Sequence, residues 1–138
     1  MEDYLSEIYR LQHELNCKIG VDTINDEKKK EWLFQFSWAL HDEVQELANS
    51  CHWKWWSKSV KENPELMFKG VKDEKNAKIE AIDCLHFLMS IFQILDMTPE
   101  DIVNIYRYKH EKNCLRQENG YDINIKTEDD NNEIKNKI

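Results

Sequence analysis

Apolar residues recur at intervals of three and four through most of the chain, and no stretch alternates apolar with polar as a half-buried strand does. Leu5, Ile8, Leu11 and Leu15 form the apolar face of a helix predicted from about Glu2 to Lys18. Gly20 and Asp22-Thr23-Ile24-Asn25-Asp26 then supply a loop and a cap. A second helix follows from about Glu27 to Ser50, with Trp32, Phe36, Leu40, Val44 and Leu47 as its buried line. Cys51 to Lys58 reads as a loop, and Asn63-Pro64 opens a brief helical turn that Gly70 closes. The third helix covers about Asp73 to Leu95. Thr98-Pro99-Glu100-Asp101 restarts the chain with an N-cap, a proline at the first helical position and acids in the first turn. That fourth helix runs to about Asn119, where Gly120 caps it. The pattern predicts an all-α, four-helix domain over residues 1–125 and a polar, frayed tail over 126–138.

A length of 138 residues suits one such domain, and only three glycines and two prolines favour helices. The net charge of −8 argues against a nucleic-acid surface, which rewards basic patches. Cys17, Cys51, Cys84 and Cys114 form no C-x-x-C and read as reduced thiols, two or more of them core fillers. The N-terminus Met1-Glu2-Asp3-Tyr4 is acidic and is followed by no apolar signal region. Ile79 to Leu95 is interrupted by Glu80, Asp83, His86 and Gln93, so no membrane span is expected and the predicted location is cytoplasmic.

Charge placement on the second and third helices points to chemistry. Glu43-Val44-Gln45-Glu46 and Glu80-Ala81-Ile82-Asp83 each put two carboxylates on one helical face. Glu43 falls on the line Phe36, Leu40, Glu43, Leu47, and the polar residues after Asp83 are uncharged. Four acids beside a core repel one another unless a cation neutralises them. A hard all-oxygen set suits Mg²⁺, with Mn²⁺ as the alternative, and such ions complete their shells with phosphate oxygens and water. A di-iron bundle would need two E-x-x-H motifs, and only Asp83 with His86 approaches one.

Two other segments are candidates for binding. Trp53, Lys54, Trp55 and Trp56, with Lys58, suit a wall for a flat base and its phosphates, although indoles equally fill cores and at least one is expected to do so. Lys109, Asn113 and Arg116 share one face of the fourth helix and can hold phosphate oxygens. An ordinary solvated helix end has the same composition.

Taken together, these segments resemble the all-α, dimeric-type dUTPases, relatives of the MazG-type nucleotide pyrophosphatases. Gln12-His13-Glu14-Leu15-Asn16 is similar to the family's Q-x-x-L-N motif. Glu43-x-x-Glu46 and Glu80-x-x-Asp83 match its acids, and Trp53-Lys54-Trp55-Trp56 its aromatic segment. Asp83-Cys84-Leu85-His86-Phe87 resembles D-x-x-H-F. Tyr108-Lys109, Asn113, Arg116-Gln117 and Gly120-Tyr121 follow the family's last motif in order. Each run is short, and their common order along the chain carries the resemblance. Relative to that pattern, Ser57 to Lys72 reads as an insertion.

The resemblance implies hydrolysis of dUTP to dUMP and pyrophosphate by a homodimer. Two or three Mg²⁺ ions would be held by Glu43, Glu46, Glu80 and Asp83, with Glu43 orienting or deprotonating the attacking water. It implies that Gln12 and Asn16 read uracil, that Trp53, Lys54, Trp56, His86 and Phe87 enclose the nucleoside, and that Lys109, Asn113, Arg116 and Tyr121 contact the triphosphate. The same chemistry on dCTP or other deoxynucleotides, and a non-catalytic helical nucleotide-binding module, are the alternatives.

Overall fold

Asp3 starts the first helix, its carboxylate accepting from the Ser6 backbone N–H at 2.9 Å. The computed structural model describes residues 3–24, 27–120 and 129–138. Its described helices are α1 (Tyr4–Lys18), α2 (Lys29–Ser50), α3 (Lys58–Glu62), α4 (Val71–Ile94), α5 (Pro99–Glu118) and α6 (Asp129–Lys135), with no strand among the described residues. The all-α expectation holds. No described helix is long and apolar enough to cross a membrane by itself.

The chain forms two compact units, one ending at Asp96 and the other beginning at Met97. In the first unit α4 packs along α2 and also against α1. Its apolar nucleus is Val21, Phe36 and Ile94, with Trp32, Leu33, Phe87 and Ile91 around them. Beside this nucleus lies an interior that is polar: Gln93, Asn16, Thr23 and Ser90 are its largest fully buried side chains. Gly20, at φ +84°, turns the chain out of α1 in a conformation that suits a residue without Cβ. The turn delivers Thr23, whose hydroxyl donates to Gln93 Oε1 at 2.5 Å. Gln93 Nε2 in turn donates to the Tyr9 carbonyl at 2.8 Å, so three segments are tied through one amide.

Several positions differ from the sequence reading. The buried face of α1 carries Gln12 and Asn16, while Leu11 and Leu15 are exposed. Val44 is exposed too. The short helix lies before Asn63-Pro64, because Ser57 caps it by accepting from Val60 N–H and proline disfavours helical backbone in the residue ahead of it. Gly70 opens α4 instead of closing a turn. Trp53, Trp55 and Trp56 are all exposed, and none fills the core. Of the cysteines, Cys51 and Cys84 are half-buried, Cys17 and Cys114 are exposed, and all four are free.

In the second unit Thr98 and Asp101 form a reciprocal capping box at the start of α5. Part of the stretch expected to fray is helical: α6 buries Ile134, and Lys109 and Lys112 of α5 bond Asn131 at 3.0 Å and Glu133 at 3.2 Å. One apolar residue in a polar run gave no periodic signal from which to predict this helix.

The buried amide of Gln93 yields a stability prediction. Gln93→Leu strands the Thr23 hydroxyl and should cost roughly 2–3 kcal/mol, read as a lower urea midpoint with an unchanged slope. A loss below about 0.5 kcal/mol, the size of an ordinary surface substitution, would show that the amide bonds do not hold the unit together.

Candidate functional site

Helices α2 and α4 run antiparallel, and the pairs of residues that meet across them define the register. Phe36 meets Phe87, with ring centroids 6.1 Å apart, near one end of the contact. At the other end Asn76 Nδ2 donates to the buried Ser50 Oγ at 2.8 Å. Ser50 lies one turn beyond Glu46, and Asn76 one turn before Glu80. The two contacts therefore bracket the acidic pairs and turn them toward each other. One carboxylate oxygen from each of Glu43, Glu46 and Glu80 lies within 4.8 Å of the other two. Asp83 is half-buried beside them and outside that set of three.

The electrostatics are those of an uncompensated cluster. Glu80 is 9% exposed, and no lysine or arginine among the described residues pairs with any of the four acids. Desolvation pushes the Glu43 carboxyl above its ordinary range, and the like charges of Glu46, Asp83, Glu80 and Asp42 push it further. Burial, followed by the charge of Glu43, also raises the Cys84 thiol, which disfavours the thiolate. The oxygen-only donor set and its unpaired negative charge fit a hard divalent cation.

A second constellation lies between α1 and α4. Ile8, Leu11, Gln12, Ile82, Leu85, His86 and Met89 line a mostly apolar cavity of about 180 Å³. Its two polar residues are bonded to each other, His86 Nδ1 to Gln12 Oε1 at 2.5 Å. Gln12 Nε2 donates to Asn16 Oδ1 at 2.9 Å, and Asn16 Nδ2 donates to Ser90 Oγ at 3.0 Å.

The remaining predicted residues fall in several places. Asn16 is 1% exposed, with its amide used at both ends, so it orients Gln12 and does not line the cavity. Phe87 packs on the core against Phe36. Trp53, Lys54 and Trp56 are exposed in the connection from α2 to α3, where Trp56 meets Trp53 and Trp55 edge-on at 5.4 and 5.6 Å. Lys109, Asn113 and Arg116 belong to the second unit, where Arg116 donates to Asn113 Oδ1 at 3.2 Å. Tyr121 lies outside the described residues.

Sequence reasoning missed Ser50, Asn76 and Ser90. Their signal is faint: small polar residues one helical turn from Glu46, Glu80 and His86. A further mixed group, His13, Cys17 and Asp22, gathers its ligand atoms within 4.8 Å at the end of α1.

A family model described as dUTPase matches residues 4–94, which contain the acids, the cavity and the tryptophan segment but not Lys109, Asn113 or Arg116. The chain is 35% identical to a dCTP pyrophosphatase of Enterobacteria phage LZ5 over 74 residues, 52% of this chain and 43% of that protein. It is 29% identical to a dCTP pyrophosphatase of Enterobacteria phage T4 over 104 residues, 65% of this chain and 61% of that protein. The matches thus span about half the length of these curated relatives. No solved structure matches the chain.

The raised Glu43 carboxyl has a defined sign in stability. The folded state holds this proton to higher pH than the unfolded state, so the contribution is intact below the unfolded value and is lost as pH rises through the folded one. With chelator at neutral pH, Glu43→Gln should therefore melt above the wild type. The advantage should vanish below roughly pH 4, where the unfolded carboxyl is also protonated. The N-caps Asp3 and Asp101 titrate in the opposite sense and are common to both proteins, so the difference between the two isolates Glu43. An equal or lower melting temperature for Glu43→Gln at neutral pH would contradict the repulsive cluster.

Proposed function

The chain belongs to the all-α dUTPase family, and from that premise we propose that it hydrolyses a pyrimidine deoxynucleoside triphosphate to the monophosphate and pyrophosphate, with dUTP as substrate. The observation that carries the reading is the convergence of Glu43, Glu46 and Glu80 with no cationic side chain paired to them among the described residues. Mg²⁺ held by these three, with Asp83 alongside, would neutralise polyphosphate charge and make water more acidic.

The chain's own groups divide the remaining work. Glu43 is the proposed acceptor of the water proton, as a half-buried carboxylate that faces Glu46 and Glu80 in the cluster. Gln12 and His86 offer polar atoms in an apolar cavity, which suits a planar base with one polar edge. Lys109, Asn113 and Arg116 are the proposed triphosphate contacts, since guanidinium and ammonium groups bind phosphate oxygens. The exposed indoles of Trp53 and Trp56 are available to stack on a base.

The names of the phage relatives favour dCTP as a second reading. A homodimer is proposed with the family. It is supported by apolar residues left exposed on three helices: Leu11 and Leu15 on α1, Phe34 and Trp38 on α2, and Ile79 and Ile82 on α4.

Pyrophosphate release should require a divalent cation and should be confined to dUTP, or to dUTP and dCTP, in a panel of deoxy- and ribonucleotides. Release from purine nucleotides at comparable rates would overturn the base assignment. Glu80→Gln and Asp83→Asn should lower kcat by more than about 100-fold with the helices intact by circular dichroism, because residues one shell out from a metal already contribute about 10–100-fold. Arg116→Ala should raise KM for the triphosphate and leave binding of the nucleoside unchanged. Equal effects on both would remove Arg116 from the phosphate site.

A further inference from the structure

We propose that Ser90 is a positioning residue that sets the direction of the hydrogen-bond relay running from the buried Asn16 and Gln12 to His86, and so fixes His86 as a hydrogen-bond acceptor toward the base. The inference rests on the nucleotide reading above and concerns how its base pocket acquires an acceptor.

Ser90 is fully buried and has one hydroxyl proton. Its Oγ lies 3.1 Å from the His86 carbonyl one turn earlier in α4, and donates to it. The oxygen can then only accept from Asn16, which must present Nδ2, at 3.0 Å. Asn16 Oδ1 is thereby aimed at Gln12 and accepts from Gln12 Nε2 at 2.9 Å. Gln12 Oε1 is left for His86 Nδ1 at 2.5 Å, so that nitrogen carries the proton. A neutral imidazole protonated at Nδ1 has its lone pair on Nε2. Each amide and ring orientation in the series follows from the direction of one hydroxyl.

The direction matters because the opposite one is also fully hydrogen-bonded. If Ser90 donated to Asn16, both amides would turn over and His86 would protonate Nε2. The imidazole would then present Nε2–H, a donor, to the cavity in place of an acceptor lone pair. In the direction set by Ser90 the cavity offers a donor, the second Gln12 N–H, and an acceptor, His86 Nε2. Adjacent donor and acceptor match the O4 and N3–H edge of uracil, or the N3 and N4-amine edge of cytosine. Both bases present an N–H that needs an acceptor, and burying one without a partner is costly. Ser90 thus acts on the substrate through three intervening side chains and touches none of it.

The test begins without substrate. Long-range ¹H–¹⁵N correlation on ¹⁵N-histidine protein, with His86 assigned by loss of its signals in His86→Asn, reads the tautomer directly. The expected result is Nδ1–H in the wild type and a mixture of tautomers in Ser90→Ala. An Nε2–H tautomer in the wild type overturns the proposal. In turnover, Ser90→Ala should raise KM about tenfold, the equivalent of one hydrogen bond, with kcat within about twofold. Ser90→Thr, which keeps the hydroxyl, should restore the wild-type tautomer. A Ser90→Ala protein that is merely less stable, with tautomer and KM unchanged, makes Ser90 structural only and sinks the idea. Should Ser90→Ala fail to fold, the wild-type tautomer and Ser90→Thr still decide. Loss of the nucleotide reading would appear separately, as absent turnover with the Nδ1–H tautomer intact.

Discussion

The antiparallel register of α2 against α4 is the constraint on which the acidic cluster depends. A slip of one residue rotates a helical face by about 100°, enough to carry a carboxylate out of the cluster. Phe36 on Phe87 and Asn76 on Ser50 hold the two helices at points on either side of the acids. Those acids gain nothing from facing each other, and the raised Glu43 carboxyl registers the cost. Packing elsewhere along α2 and α4 offsets it.

The same logic extends to the interior beside α1. A run of buried amides and hydroxyls stabilises a fold less efficiently than the same volume of leucine, because each polar group must be satisfied. Here Thr23, Gln93, Asn16 and Ser90 are satisfied, and their partners are specific atoms on other segments. A polar interior defines orientation more sharply than an apolar one. Gln12 and His86 line a cavity, and Gln12 is held from behind by Asn16, which does not, the arrangement expected where side chains must be presented to a ligand in one orientation.

Apolar residues of the same helices lie outside this interior. Leu11, Leu15, Ile79 and Ile82 continue the pattern of buried faces along α1 and α4 yet remain exposed in the single chain. The hydrophobic pattern reports faces that avoid water without saying whether the chain itself or another molecule covers them. Leu11 is instructive, since it belongs both to that exposed face and to the cavity lining beside Gln12.

The sequence by itself determined the helices and singled out the two acidic pairs. Thr98-Pro99 with Asp101, the i,i+3 acids and the three-and-four spacing of apolar residues are local signals, and local backbone physics reads them directly. The convergence of the acids was legible because their uncharged, apolar neighbours made solvation an insufficient explanation. Tertiary structure alone decided which face of each helix is interior: periodicity assigned Leu11 and Leu15 inward, whereas Gln12 and Asn16 occupy that side. It also decided that Asn16 supports Gln12, that Phe87 serves the core, and that Ser50, Asn76 and Ser90 matter at all. Their contribution is a hydrogen bond to a residue 26 or 74 positions away along the chain, and a long-range pairing leaves no local signature in the residues that make it.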